Sequence, residues 1–354
     1  MNKNIKIKRK KTVLILYTGG TIGMVRHSEP MSTQVVLDVP HLDGSQLKKR
    51  FRQLVPELKS LANCHTQILF NKDSGHMGSP EWIKMASVIQ KNLSKFDGVV
   101  VLHGTDTLAY SAAALSFLLG NCDIPVVMTG AQKPLSDLRT DAKQNLICAV
   151  EIAAHGPRQA VRGVSVFFGN ELFLGTRVRK ASASEFDAFQ SPQALPIARV
   201  GTQIHYLGTR SRFKKRQFEP EFSEKVVMAW LTPGFFSQAL VNLIGTVEAF
   251  VLVTFPSGTA PTHLESFRMF LQAARKSHTP VVVVSEGASR SPGYGAHPRD
   301  YEAGRVLLDE GCLWAGEMTP ECAYVKSSLI LGQSDGRQKF SQYWKLEFTD
   351  EGSI

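Results

Sequence analysis

Long apolar runs are missing from this chain. None approaches the ~20 residues that a membrane-spanning helix needs, so no membrane partner is expected. The apolar stretch behind the basic N-terminus covers only Val13 to Tyr17, too short for the core of a signal peptide. Cysteine is sparse: Cys64, Cys122, Cys148, Cys312 and Cys322 are scattered, odd in number and without a Cys-x-x-Cys pair. That usage argues against a disulfide framework and for reduced thiols in a cytoplasmic protein. The histidines show no His-Glu-x-x-His or similar ligand spacing, and no metal site is expected. No internal repeat and no low-complexity tract is visible. Disorder is excluded as well, because 43% of the residues are hydrophobic.

The chain is rich in local positive charge. Its 354 residues, a length that suits two domains or one large one, carry a net charge of +10. Two runs hold the excess: Lys3, Lys6, Lys8, Arg9, Lys10 and Lys11 near the start, and Arg210, Arg212, Lys214, Lys215 and Arg216 further on. Without them the body is close to neutral. Such runs are most simply a solvated tail and a solvated linker, although charge runs can also meet nucleic acid or an acidic surface. Aromatic residues do not interleave with these charges as a base-stacking surface requires, so a nucleic-acid partner is not expected.

Strand and helix signals alternate through the first half. The apolar runs Val13–Tyr17, Val99–Leu102, Pro125–Met128 and Gly163–Phe168 read as buried parallel strands. Ser79-Pro80-Glu81 reads as a helix start with Ser79 at the N-cap; Thr107–Leu119 and Asp141–Ala154 are the next helices. The rhythm predicts an α/β fold with a doubly wound, mostly parallel sheet. Residues 196–222 are basic and turn-rich and read as a linker between an N-terminal α/β domain (12–195) and a smaller C-terminal α/β domain (223–332). The basic tail would then be 1–11, and 333–354 would be a polar surface tail with one late strand.

Two turns carry the chemistry. Thr18-Gly19-Gly20-Thr21-Ile22-Gly23-Met24 and His103-Gly104-Thr105-Asp106-Thr107 each begin where a strand ends, about 85 residues apart. Ligands of open α/β sheets sit at such carboxyl ends. Neither phosphate pattern fits: Gly-x-x-x-x-Gly-Lys-Ser/Thr is absent, and the glycines miss Gly-x-Gly-x-x-Gly. Thr21 is an exposed hydroxyl able to attack, or a turn threonine bonding its own backbone. Asp106 and Thr107 could cap the following helix. Alternatively, Asp106 holds a catalytic ammonium, for which Lys180 in Arg177-Val178-Arg179-Lys180 is the candidate; a neutral lysine can serve as a base, though a lone lysine is more often solvated.

These motifs, with Asp73-Ser74, Met77, Trp82, Ala109-Tyr110, Thr129-Gly130-Ala131-Gln132, Asp137-Leu138-Arg139, Asp141, Asn145-Leu146, Lys180-Ala181 and Phe186-Asp187-Ala188-Phe189, resemble the type I, cytosolic L-asparaginases over roughly residues 12–330. The resemblance implies hydrolysis of L-asparagine to L-aspartate and ammonia, without cofactor or metal, by a protein that self-associates as dimer or tetramer. Thr21 would be the first nucleophile and form an acyl-enzyme. Thr105, Asp106 and Lys180 would form a second catalytic set, in which Lys180 takes protons from Thr105 or water and Asp106 holds Lys180. Backbone N–H groups near Thr21 and Thr105 would stabilise the oxyanion. Gly20, Asp73, Ser74, Gly104 and Ala131 would line the substrate: Ser74 and Asp106 at its α-carboxylate and α-amine, the Ala131 carbonyl near the leaving amide.

The chain departs from the family at three positions. Met31 stands where relatives carry a loop tyrosine that helps activate the first threonine, and a thioether cannot donate a proton. No tyrosine lies between Tyr17 and Tyr110, so His27 or Glu29 would have to supply that group. Gly75 replaces a polar contact to the substrate carboxylate, and Arg179 replaces a smaller residue near a site where some relatives bind effector asparagine. Two other readings therefore stay open. One is a catalytically weak descendant that binds a small amino acid or a protein. The other is the amide-hydrolysing subunit of a tRNA-dependent amidotransferase, a type whose members carry an extra domain before the first motif.

Overall fold

The computed structural model describes residues 9–28, 35–38, 44–120, 122–210, 218–234, 237–287 and 297–352. Eight strands build the larger sheet: β1 (Thr12–Gly19), β2 (Asn63–Lys72), β3 (Gly98–Leu102), β4 (Pro125–Thr129), β5 (Gly163–Phe168), β6 (Glu171–Leu174), β7 (Ala198–Val200) and β8 (Ile204–Tyr206). Their spatial order is β8-β7-β6-β5-β4-β3-β1-β2. Strands β2, β1, β3, β4 and β5 run parallel, and β6 to β8 close that edge antiparallel. The 2-1-3-4-5 order reverses direction at β1, so a crevice opens between the carboxyl ends of β1 and β3. The smaller sheet has four parallel strands, β9 (Val226–Trp230), β10 (Ala249–Thr254), β11 (Val281–Ser285) and β12 (Leu313–Trp314). This is a two-domain α/β architecture, as the alternating pattern predicted.

Both faces of the parallel strands are buried, which explains their continuous apolar runs. Val13, Ile15 and Tyr17 join one cluster, with Leu47 and Phe51 of α1 (Gly44–Leu54). Leu14 and Leu16 face the other, with residues of α2 (Ser79–Asn92) and α3 (Leu108–Leu119). That second cluster continues into the smaller sheet through Val251 and Val253 of β10, so one core spans both domains. Helix α4 (Ala142–His155) covers the first face. Helices α5 (Glu265–Lys276) and α6 (Glu302–Asp309) cover the outer face of the smaller sheet.

Several local expectations are corrected. Helix α2 starts one residue earlier than expected: Gly78 is the N-cap, and Glu81 accepts its backbone N–H at 3.0 Å. Thr107 is the N-cap of α3, but its hydroxyl makes no cap bond there and donates instead to the Ser74 carbonyl at 2.7 Å. The first part of the expected linker, 196–222, supplies β7 and β8. The expected polar tail with a late strand is neither a surface tail nor a strand. After α7 (Pro320–Leu331) the chain forms α8 (Phe340–Trp344), whose Phe340 and Trp344 stack in the core and are 2% and 0% exposed. Apolar anchors in a polar stretch overcame its average composition. All five cysteines are free. No described helix is long and apolar enough to cross a membrane.

Candidate active site

Glycine brings the two motif turns into contact. Gly19 and Gly20 at the end of β1 have φ of +117° and +85°, a region that side chains rarely tolerate. A Cβ on Gly20 would lie 2.5 Å from the Gly104 Cα, so the two backbones touch. A Cβ on Gly104 would in turn lie 2.7 Å from the Cβ of Ser74, at the end of β2. Thr18 adds a direct tie, its hydroxyl donating to the Leu102 carbonyl at 2.9 Å. Thr21 and Thr105 each follow one of the touching glycines. The two turns that bear Thr21 and Thr105 therefore meet at the carboxyl ends of β1 and β3.

The Lys180 amine is the hub. It donates to the Thr105 hydroxyl oxygen at 2.8 Å and to an Asp106 carboxylate oxygen at 2.7 Å. Thr105 is buried, and the Lys180 side chain is only 18% exposed, whereas that of Asp106 is 71% exposed. Such an ion pair contributes little to stability by itself because solvent screens it. Its value is orientation: the amine faces a hydroxyl whose proton it can take once neutral, and the carboxylate steadies the resulting ammonium. Thr21 is partly exposed and opens a short 3₁₀ turn ending at Gly23.

The remaining expected site residues fall around this hub. Ser74 is buried beside Gly104. Asp73 uses one carboxylate oxygen to cap its own turn, accepting the Gly75 N–H at 2.7 Å. Ala131 is buried at the end of β4, 1% exposed. Met31 and Glu29, and the side chain of His27, lie outside the described residues. Tyr17 is fully buried beneath the first turn; among the described residues its hydroxyl has no hydrogen-bond partner, and it lies against Gly23. Burial pushes the Tyr17 phenol up to about 12, with Arg50 pulling the other way.

Two supporting groups were not singled out as site residues. Gln132 accepts from the Thr105 hydroxyl at 3.3 Å, and its amide donates to the carbonyls of Ser182 and Glu185. Its backbone N–H is held by Asp141 at 2.9 Å. His103 is buried, and burial drives it down to about 4, against the hydrogen bond to Gly104 that raises it. It is therefore neutral near pH 7. The Gly104 carbonyl can only accept, so Nδ1 carries the hydrogen at 2.7 Å; Nε2 then accepts from Ser111, which accepts from the Trp82 indole, each at 2.9 Å. Among the described residues no group of three or more His, Cys, Asp or Glu could hold a metal ion.

Residues 12–212 match the family model "Asparaginase, N-terminal", and residues 225–344 match "Glutaminase/Asparaginase C-terminal domain". The chain is 33% identical to L-asparaginase 1 of Escherichia coli K12 over 332 residues, covering 92% of this chain and 93% of that protein. It is 31% identical to a glutamyl-tRNA(Gln) amidotransferase subunit of Pyrococcus abyssi, covering 96% of this chain and 76% of that one. Among solved structures, the thermostable L-asparaginase from Thermococcus kodakarensis superposes with a TM-score of 0.84 at 28% identity, covering 97% and 99% of the two chains.

Proposed function

The chain belongs to the asparaginase family, and on that footing we propose that it is an amidohydrolase converting L-asparagine to L-aspartate and ammonia through a threonine acyl-enzyme. The observation that carries this reading is the Lys180 amine within hydrogen-bond distance of both Thr105 and Asp106, beside the turn that bears Thr21. Thr21 Oγ attacks the side-chain amide carbon, the carbon–nitrogen bond breaks, and the proton given up by the Thr21 hydroxyl passes to the nitrogen that leaves as ammonia. Water then attacks the ester, Lys180 taking its proton directly or through Thr105 while Asp106 holds the ammonium. The bond from the acyl carbon to Thr21 Oγ breaks, aspartate leaves, and that proton returns to Thr21 Oγ, leaving Lys180 neutral again. Backbone N–H groups of the two turns meet the developing oxyanion. Ser74 and Asp106 hold the α-carboxylate and α-amine of the substrate. The protein works in the cytoplasm as a dimer or tetramer, a reading supported by its free cysteines and by its likeness to type I relatives.

A coupled ammonia assay over a range of L-asparagine and L-glutamine concentrations tests the reading. The wild type releases ammonia and aspartate from asparagine, and Thr21→Ala lowers kcat by about 10³-fold or more. Unchanged release by Thr21→Ala removes Thr21 from the mechanism. A second reading, the amide-hydrolysing subunit of a tRNA-dependent amidotransferase, is favoured by the likeness to the Pyrococcus protein and by the two basic runs. Salt-sensitive retention of tRNA would support it; no binding at low salt would end it.

A further inference from the structure

Lys180 ends a two-residue extended segment, Arg179–Lys180, in which successive side chains point to opposite sides; Arg177 lies in the turn just before it. Val178 joins the core and Lys180 reaches Thr105. Arg179 points away from Lys180, and both it and Arg177 meet the second domain. The Arg177 guanidinium donates to the Glu317 carbonyl at 2.6 Å and pairs with the Glu317 carboxylate. It also donates to the Glu351 carbonyl at 3.0 Å. Arg179 pairs with Glu321, in the first turn of α7, at 3.7 Å. One residue before Arg177, the Thr176 hydroxyl donates to the Asp350 carbonyl at 2.9 Å.

The far side of this contact is itself anchored. Glu351 is 0% exposed, its carboxylate accepts the backbone N–H groups of Phe348 and Thr349, and it pairs with Lys326 of α7 at 3.0 Å. The Lys326 ammonium also lies over the rings of Trp344 and Phe348. The chain end is thus folded around a buried ion pair and presents its carbonyls to Thr176 and Arg177. The segment that bears Lys180 is clamped between the first domain on one side and the chain end on the other.

We propose that Arg177 is a positioning residue for Lys180, through which the second domain and residues 350–351 set the geometry of the proton-transfer site. Arg177 does not touch Thr105 or Asp106. It fixes the backbone three residues upstream of the amine, and a planar guanidinium with several donors suits three oxygens from two separate segments. The inference rests on the hydrolytic reading of the site and adds that the second domain is part of its alignment.

The test uses full-length Arg177→Met, Arg177→Lys and Glu317→Gln, with Leu307→Ala in the outer core of the second domain as a destabilised control. Two quantities are read: kcat and KM for ammonia release, and the rate at which Lys180 is acetylated by acetic anhydride at pH 8, followed by peptide mass spectrometry. Arg177→Met is expected to lower kcat about 10²-fold, the effect of a misplacement near 1 Å, with KM changed less than about threefold. Its Lys180 is expected to acetylate several-fold faster. Arg177→Lys recovers part of both, and Leu307→Ala lowers the melting temperature while leaving both unchanged. The proposal is overturned by a folded Arg177→Met with wild-type kcat and labelling, or by a control that loses as much kcat. If Arg177→Met does not fold, Glu317→Gln decides: about a tenfold loss of kcat with faster labelling supports the clamp, and wild-type values overturn it. If the wild type releases no ammonia, the hydrolytic reading fails and labelling alone judges the clamp. Faster acetylation then keeps it, and unchanged acetylation overturns it.

Discussion

His103 sits under the crevice without solvent contact, and the chain from Trp82 through Ser111 fixes its tautomer. The unfolded chain takes up a proton on this residue near pH 6.5, while the folded chain refuses it until about pH 4. Stability contributed by neutral His103 is therefore lost as pH falls through that window, by up to about 3 kcal/mol. Urea unfolding at pH 5 and pH 7 checks this: wild-type stability should fall by more than that of His103→Gln, and parallel slopes would contradict it. Tyr17 poses the opposite case, a buried hydroxyl with no partner among the described residues. Tyr17→Phe should raise stability by about 1 kcal/mol and leave ammonia release unchanged. A large loss of activity would mean that Tyr17 serves Thr21 in place of the missing loop tyrosine. The four residues proposed for catalysis were singled out because the family resemblance assigns each a role; Gln132 and His103 stand in motifs of the same resemblance without one. Those two were not singled out, since their roles depend on contacts across 27 and 8 positions.

At the scale of elements, strands with both faces buried were the easiest to read. Val99–Leu102 and Gly163–Phe168 appear within a residue of their expected bounds. Edges and ends were harder. Strands β7 and β8 are three residues each, and their place comes from antiparallel pairing, β7 with β6 and β8 with β7, rather than from their own pattern. Residues 333–354 look polar on average, yet Phe340, Trp344 and Phe348 pin them, and Glu351 enters the core opposite Lys326. Burial pulls the Lys326 amine down from its ordinary range, and Glu351 pushes it back. Removing one partner leaves the other buried and unpaired. Glu351→Ala should therefore cost about 3–5 kcal/mol, and Glu351→Leu with Lys326→Met should recover part of it. Denaturant midpoints measure both; a loss under about 1 kcal/mol in the single variant would show that the pair does not anchor the chain end.

For the molecule as a whole, the order β2-β1-β3-β4-β5 explains why residues far apart in sequence share one crevice. The alternating pattern predicted a doubly wound sheet, and the paired motifs pointed to the strand ends. What no motif announced is that the core between the sheets is continuous, so the second domain reaches the segment bearing Lys180. Charge was legible only in part. Lys11 and Arg158 gather around Asp97, and Arg210 bonds Asp350 at 2.7 Å, so some residues of the basic runs hold the fold together. The central claim is that Thr21, in a crevice served by Lys180, Thr105 and Asp106, carries the acyl group during amide hydrolysis. Rapid acid quench of turnover with L-asparagine, followed by peptide mass spectrometry, tests it most directly. An aspartyl ester on the peptide containing Thr21, absent from Thr21→Ala, is the predicted result. Ammonia release with that peptide unmodified at every quench time, or an ester on Thr105 instead, would contradict it.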